Sequence, residues 1–315
     1  MHRILVKSMA VVTALLAFSA SASAESAMSD EERILRHTAA ALKDMPFLSA
    51  GEVHDIVQNN DTDFMIVSLQ SEEEYRAGHV PGSTRIAVDM SGPFAAAPEL
   101  PSDKTLILVS SNGQAACKAA VFLRQSGYRA APMLLGMNAY NRAYAGAGAY
   151  AGDAGGAIST QDVPFTPQPA APTYSAKNER DLIGERTLAY AQSDRPFTIT
   201  ASDLMNLMGK EDIVIISMQS AEDYAAGHIP GAINIPGPRF IAGDERLLAL
   251  PKTKEIIVTC YIGHYSGMGA LILNQMGYKA RSLEWGLAGW NRHALGNHIG
   301  ETLAKDAGFA VETTP

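Results

Sequence analysis

Short apolar runs alternate with helical patterns along the second half of the chain. The runs DIVIIS (Asp212 to Ser217) and EIIVTC (Glu255 to Cys260) are almost continuously apolar, as expected for strands buried on both faces of a sheet. The stretch from Ser266 to Gly277 has the spacing of an apolar helix and ends at a glycine, which commonly terminates helices. This alternation predicts an α/β fold in which a small parallel sheet carries helices on both faces.

The whole pattern occurs twice. The segment SLQSEEEYRAGHVPGS at 68–83 returns as SMQSAEDYAAGHIPGA at 217–232, and GMNAYNR at 136–142 returns as GLAGWNR at 286–292. Self-similarity at a fixed period indicates a duplicated structural unit. We therefore expect two copies of one α/β domain.

Residues 146–177 separate the two copies. This segment is rich in Gly, Ala and Pro, has almost no periodicity, and is longer than the loops inside compact domains, so it is typical of a linker. We predict a first domain at 25–145, a linker at 146–177 and a second domain at 178–315.

The first 24 residues have the pattern of a cleaved signal peptide, residues 1–24. Arg3 and Lys7 precede an apolar stretch, and Ala22-Ser23-Ala24 forms a small-residue cleavage site. Neither this stretch nor any other reaches the roughly 20 apolar residues that a membrane-spanning helix needs. We therefore predict a protein that is exported to the periplasm and does not span the membrane.

Charge and cysteine content narrow the function classes. The chain has a formal net charge of −8, and loss of the signal peptide, which holds two cations and no acid, lowers it to −10. A field of this sign repels nucleic acid, so we expect no nucleic-acid partner. Two cysteines are too few for a disulfide scaffold.

One of the two cysteines lies where chemistry is expected. Cys260 is at the carboxyl end of a predicted strand, and open α/β sheets bind ligands beyond such ends. A short loop that leads into a helix directs backbone N–H groups inward and stabilises an anion such as a thiolate. Gly263 permits the turn because glycine adopts positive φ without strain. The sequence thus predicts a reactive thiolate at Cys260.

Several motifs together resemble the rhodanese-like family in its tandem form. They are EDYAAGHIPGAINIP at 222–236, a cysteine-led loop after a buried strand, the pair Gly277-Tyr278, and the G-x-x-G-W pattern at 286–290. The resemblance covers both repeats. With its signal peptide, the chain looks like an exported bacterial member with a Cys-Tyr-x-Gly-His loop in the second domain.

The resemblance implies a sulfurtransferase that needs no metal and no organic cofactor. Cys260 would accept the outer sulfur of a small-molecule donor such as thiosulfate and hold it as a persulfide. It would then pass the sulfur to a thiol or a cyanide-like acceptor, with a periplasmic thiol protein as one candidate. The residues implied in substrate binding follow the cysteine: Tyr261, Ile262, Gly263, His264, Tyr265 and Ser266.

The chain departs from the family at positions that hold an anionic donor. Many members carry arginine after the cysteine and again later in the loop, whereas tyrosine and histidine fill this loop. We expect His264 to supply partial positive charge, because small shifts move histidine across neutral pH, and Arg292 is a second candidate cation. The usual Asp-x-Arg after the first core strand is Ser-x-Gln in both copies, which predicts a neutral hydrogen-bonded pair.

The first copy lacks the nucleophile. Aligning LILVSSNGQAAC with IIVTCYIGHYSG places Ser110 opposite Cys260 and Gly113 opposite Gly263. Serine forms no persulfide, so we expect the first domain to be inactive. Cys117 falls within the following helix and is expected to be a buried small apolar residue, although a disulfide with Cys260 stays open.

Two other function classes compete with a sulfurtransferase. A noncatalytic binding or scaffold protein of an exported or membrane-associated complex is the alternative, because the first loop is degenerate and the arginines are missing. A phosphatase of the related cysteine fold needs an arginine six residues after the cysteine, where this chain has Ser266. Without that bidentate clamp for a phosphoryl group, we exclude a phosphatase.

Overall fold

The computed structural model describes residues 28–86, 99–210, 212–295 and 303–314. The predicted signal peptide lies outside these residues. Across the described ranges, no helix is both long enough and apolar enough to cross a bilayer.

The first domain contains a parallel sheet with the strand order β2-β1-β3-β4. A bridge between Leu48 and Met133 continues the sheet beyond β4. The strands are β1 (Phe64–Ser68), β2 (Thr84–Arg85), β3 (Thr105–Val109) and β4 (Arg129–Pro132). The helices are α1 (Asp30–Leu42), α2 (Ala50–Gln58), α3 (Glu72–Ala77), α4 (Gln114–Gln125) and α5 (Met137–Tyr140), followed by short 3-10 turns at Arg142–Tyr144 and Gly146–Gly148.

The second domain repeats this architecture with the parallel strand order β5-β9-β8-β6-β7. Its strands are β5 (Thr198–Ile199), β6 (Ile213–Ser217), β7 (Ile233–Asn234), β8 (Glu255–Thr259) and β9 (Lys279–Leu283). Its helices are α6 (Glu179–Ala191), α7 (Ala201–Leu207), α8 (Ala221–Ala226), α9 (Gly237–Ile241), α10 (His264–Gln275) and α11 (Gly286–Trp290), with 3-10 turns at Glu245–Ala249 and Arg292–Ala294.

Helices cover both faces of each sheet, as predicted. Alternate residues of β8 enter different apolar clusters, with Ile256 and Val258 on one face and Ile257 on the other. This is the pattern of a strand buried on both faces. Each of these clusters contains residues of both domains, so the two copies share a continuous core on both sides of their sheets.

The predicted start of the last long helix is corrected by the structure. We expected this helix to begin near Ser266, but α10 begins at His264. Gly263 is its N-cap, with φ of 91°, in the left-handed region that glycine tolerates best. The helix therefore begins earlier, within the loop that follows Cys260.

The Ser-x-Gln pairs form the neutral contacts that the sequence predicted. The Ser217 hydroxyl donates to Gln219 Oε1 at 2.7 Å, and Gln219 Nε2 donates to the Gly227 carbonyl at 2.9 Å. In the first domain, Ser68 and Gln70 make the equivalent contact at 3.0 Å. Each buried amide thus ties the end of a core strand to the helix that follows it, without a charge.

The domains meet through α4 and α10, which pack against each other. Gln125 of α4 and Gln275 of α10 exchange two amide hydrogen bonds of 2.9 Å. Each glutamine also donates to a threonine of its own domain, Thr38 or Thr187. Because equivalent residues of the two copies pair with each other, the interface has approximate twofold symmetry.

The chain segments that follow the two domains are exchanged between them. Ser159, in the predicted linker, exchanges two backbone hydrogen bonds of 2.9 Å with His228 of the second domain. Glu312, in the segment 303–314 (hereafter the tail), exchanges two of 3.0 Å with His79 of the first domain. The linker therefore binds the second domain and the tail binds the first.

Truncation of the tail's aromatic anchor should destabilise the protein. The Phe309 ring stacks on His54 with ring centroids 3.9 Å apart, and the backbone N–H of Phe309 donates to the Tyr140 carbonyl. We expect Phe309→Ala to lower the free energy of unfolding in urea by about 2 kcal/mol, roughly half the cost for a fully buried phenylalanine. Tyr174→Ala, at an aromatic that is 64% exposed, should change it by less than about 0.5 kcal/mol. Equal effects of the two substitutions would contradict a stabilising role of the tail.

Candidate active site

Cys260 lies directly after β8, which is a central strand of the second sheet. Its Sγ accepts hydrogen bonds from the backbone N–H groups of Gly263 at 3.2 Å and Ser266 at 3.4 Å. The Ser266 hydroxyl lies 3.5 Å from the same sulfur. The residue is only 3% exposed. The sulfur therefore lies in a buried cradle of donors at the start of α10.

The G-x-x-G-W motif at 286–290 binds the backbone of the loop that forms this cradle. The N–H of Leu287 donates to the Cys260 carbonyl at 2.8 Å, and the N–H of Ala288 donates to the Tyr261 carbonyl at 2.9 Å. At Gly286, φ is 53° and a Cβ would lie 2.3 Å from the Cys260 carbonyl oxygen. Glycine is therefore required there, because both the backbone conformation and the close approach exclude a side chain.

The arrangement suits an anionic sulfur. Backbone N–H groups carry partial positive charge, and the N-terminus of α10 adds the favourable end of its dipole. Hydrogen bonds to a charged acceptor are stronger than those between neutral groups. The cradle can therefore support nucleophilic chemistry at Cys260.

Of the six residues predicted to bind substrate, only Gly263 and Ser266 contact the sulfur by hydrogen bonds. The Tyr261 hydroxyl instead donates to the Asp223 carboxylate and accepts the N–H of Ser220 at 3.0 Å. Burial, followed by the contact with Asp223, raises the pKa of Tyr261. Ile262 is 8% exposed and belongs to the apolar cluster on the opposite face of the sheet from Cys260.

The expectation that His264 contributes positive charge is wrong. Its side chain is 2% exposed and lies against the first domain, with Nε2 3.2 Å from the Asn112 carbonyl and 3.3 Å from the Leu135 N–H. Burial lowers the pKa of His264 to about 4, so the imidazole is neutral near pH 7. Arg292 brings no charge to the sulfur either, since its mostly exposed side chain pairs with Asp153 at 3.4 Å.

Apolar and aromatic side chains surround Cys260. Tyr265 stacks on Phe47 of the first domain with ring centroids 5.6 Å apart, and both pack on the apolar cluster that contains Cys260. Burial raises the pKa of Tyr265, so its hydroxyl stays protonated at neutral pH. Within the described ranges, no three His, Cys, Asp or Glu side chains are grouped to hold a metal ion.

Sequence reasoning missed two residues that α4 of the first domain brings to this region. The Lys118 ammonium lies 4.4 Å from the centroid of the Phe197 ring, and burial lowers its pKa to about 8. The Gln114 amide donates to the Gly263 carbonyl at 3.2 Å. The one signal in the sequence was that Gln114 aligns with His264, but only the interface shows that each reaches the other's domain.

The first domain has the same cradle with a hydroxyl in place of the sulfur. Ser110 Oγ accepts the N–H groups of Gly113 at 3.0 Å and Ala116 at 3.3 Å, which confirms the alignment with Cys260. Cys117 is fully buried, and both cysteines are free thiols rather than a disulfide. Burial, with the nearby charge of Cys260, raises the pKa of Cys117 well above its usual value.

The buried imidazole should make stability depend on pH. Because the pKa of His264 falls from 6.5 in the unfolded chain to about 4, the unfolded state binds an extra proton between these values, and stability falls as the pH decreases through this window. Between pH 7 and pH 5 we expect a loss of about 2 kcal/mol from this group. His264→Gln should remove that loss in urea unfolding, whereas the exposed His293→Gln should not. An unchanged pH dependence in His264→Gln would refute the assignment.

Comparison with known proteins agrees with this geometry. The rhodanese-like domain family matches residues 49–143 and 200–293. A sulfurtransferase of Allochromatium vinosum is 28% identical over 90 residues, which are 28% of this chain and 81% of that protein, and a thiosulfate sulfurtransferase of Azotobacter vinelandii is 30% identical over 129 residues, which are 34% and 46%. The crystal structure of the 3-mercaptopyruvate sulfotransferase SseA from Escherichia coli aligns with 16% identity over 75% of this chain and 97% of that one, at a TM-score of 0.30. On the family match, this chain belongs to the rhodanese-like family and carries two copies of its domain.

Proposed function

We propose that this chain is a sulfurtransferase that carries sulfur as a persulfide on Cys260, and that its first domain is inactive in sulfur transfer. The family and the relatives named sulfurtransferases support a sulfurtransferase-type function. The observation that carries the proposal is the Cys260 sulfur in a cradle of two backbone amides. The first domain has the same cradle around Ser110, whose hydroxyl cannot form a persulfide.

The proposed reaction has two balanced steps. The Cys260 thiolate attacks the outer sulfur of a donor such as thiosulfate, a new S–S bond forms, and the old S–S bond breaks so that its electron pair leaves with sulfite. The persulfide anion then yields its outer sulfur to a thiolate or cyanide, which gives a new persulfide or thiocyanate and restores the Cys260 thiolate. The backbone amides stabilise the anionic sulfur in both states.

The surroundings of the sulfur favour donors with little charge. Tyr261 and Tyr265 occupy the loop where many family members carry arginine, and Tyr265 faces the aromatic ring of Phe47. A thiosulfate dianion gains little from such neighbours, whereas the terminal sulfur group of an organic persulfide carries at most one negative charge and loses less solvation on entering them. We therefore propose that such compounds load Cys260 faster than thiosulfate does.

A noncatalytic binding role is the second candidate. The 3% exposure of Cys260 favours it, because a donor must reach a sulfur that packed side chains almost enclose. In that role both domains present surfaces to a partner, and the cradle merely stabilises the loop. The two functions differ in whether Cys260 ever gains a sulfur atom.

Sulfur loading should depend on Cys260 alone. We expect the reduced protein to gain the mass of one sulfur atom after incubation with thiosulfate, polysulfide or glutathione persulfide, as measured by intact mass and located by peptide mapping. Cys260→Ser should gain none, and it should fold because serine already fills the equivalent cradle at Ser110. Cys117→Ala is the matched control at the other cysteine and should load like the wild type. A wild-type protein with a free Cys260 thiol that gains no sulfur from any donor would support the noncatalytic role instead.

We also propose that the protein works in the periplasm. When the full chain is expressed in a Gram-negative host, we expect the periplasmic fraction to contain a mature form of the protein. N-terminal sequencing should show that this form begins at Glu25, because the cleavage pattern ends at Ala24. Substitution of the two apolar residues Leu15 and Leu16 by Arg should retain the precursor in the cytoplasm. An uncleaved wild-type chain in the cytoplasmic fraction would overturn this proposal.

A further inference from the structure

A side chain of the first domain is built into the cradle of the second. Gln114, the first residue of α4, is 3% exposed. Its Nε2 lies 3.2 Å from the Gly263 carbonyl, 3.0 Å from the Ser282 hydroxyl and 3.2 Å from the Leu283 carbonyl. Its Oε1 accepts the N–H of Trp285 at 3.1 Å. Every polar atom of this amide is thus engaged with the second domain.

These contacts fix which way the amide points. The backbone N–H of Trp285 can only donate, so the atom that faces it must be the amide oxygen. The NH2 group then faces the Gly263 carbonyl and the Ser282 hydroxyl, and the hydroxyl must accept there. Consequently the Ser282 proton is free to point at another acceptor.

That acceptor belongs to the cradle. Ser282 Oγ lies 3.2 Å from Ser266 Oγ, which in turn lies 3.5 Å from Cys260 Sγ. When Ser266 accepts from Ser282, its own proton can be donated to the Gly263 carbonyl at 3.1 Å or to the sulfur. A continuous chain of hydrogen bonds therefore runs from the first domain to the reacting atom, and Gln114 sets its direction.

Gln114 also holds the backbone of the turn. It binds the carbonyl of Gly263, the residue whose own N–H donates to the sulfur. A Cβ at Gly263 would lie 2.4 Å from Gln114 Cδ, and φ there is 91°, so a side chain at this position would strain the backbone and displace Gln114. The twofold-equivalent contact, in which His264 binds Leu135 and Asn112, holds the loop of the first domain, which has no sulfur.

From these contacts we infer that Gln114 is a positioning residue for Cys260, supplied by the domain that has no nucleophile. It orients the Ser282 and Ser266 hydroxyls and the Gly263 amide toward the sulfur. The role in sulfur transfer rests on the proposed function, but the effect on the thiol itself is measurable without any sulfur donor.

The test compares two glutamines of the same helix. Gln114→Met keeps the length of the side chain and removes its hydrogen bonds. We expect it to slow alkylation of Cys260 by iodoacetamide and to lower kcat for sulfur transfer, each by about tenfold, the equivalent of losing roughly one hydrogen bond to the site. KM for the donor should change less than kcat. Gln125→Met removes the amide pair with Gln275 at the same interface, away from the cradle, and should leave both rates within about twofold of wild type.

A second substitution within the chain of hydroxyls guards against a folding defect. Ser282→Ala leaves Gln114 and the interface in place, yet it interrupts the same path to Ser266. Like Gln114→Met, it should slow the alkylation of Cys260. Gln114→Met and Ser282→Ala should both move the pH profile of Cys260 alkylation to higher pH, because the thiolate loses hydrogen-bond donors without any change of charge nearby. A purely structural contact would leave that profile in place.

The outcomes separate this inference from the proposed function. Alkylation and transfer within twofold of wild type in Gln114→Met, or an equal loss in Gln125→Met, would overturn the positioning role. If the wild type transfers no sulfur from any donor but Gln114→Met still slows alkylation of Cys260, the positioning role stands and the proposed function fails.

Discussion

The left-handed backbone at Gly263 is the constraint on which the rest of the site depends. Its φ of 91° turns the chain sharply after β8, so that the amides of Gly263 and Ser266 converge on one point. The sulfur of Cys260 occupies that point. The first domain repeats the turn at Gly113, where φ is 83°, and places the oxygen of Ser110 there. One backbone conformation, used twice, thus creates two equal cradles, and a single residue decides what each can do.

The two cradles are coupled because the domains meet loop to loop. Leu135 and Trp285 occupy equivalent positions with φ of 59°, an unfavourable value for residues with a side chain. In each case the backbone N–H of that residue is bound by a side chain of the other domain, His264 or Gln114. The interface therefore supports a strained conformation in both copies while only one copy contains the sulfur, so an almost symmetric structure has an asymmetric site.

The sequence was sufficient for features that depend on local pattern. Continuous apolar runs predicted the core strands, and the repeat itself predicted that Ser110 lies where Cys260 does, because both are set by periodicity within one domain. It was not sufficient for the direction of side chains whose partners are distant in sequence. The sequence predicts that His264 supplies positive charge to a substrate, but the first domain buries its side chain. It predicts that Tyr261 contacts substrate, but the hydroxyl donates instead to Asp223, which is distant in sequence. Such neighbours are determined by packing within and between the domains, and no short motif encodes them.

The exchange of chain ends affects the order in which the molecule can be completed. The ribosome completes the first domain long before it makes the tail residues that bind at His79. During that interval the backbone groups of His79 and the ring of His54 have no cover from the tail. The second domain has no such delay, since the segment that binds at His228 precedes it in the chain. The domain that contains Cys260 can therefore receive its exchanged segment as soon as it is made, whereas the first domain receives the tail last.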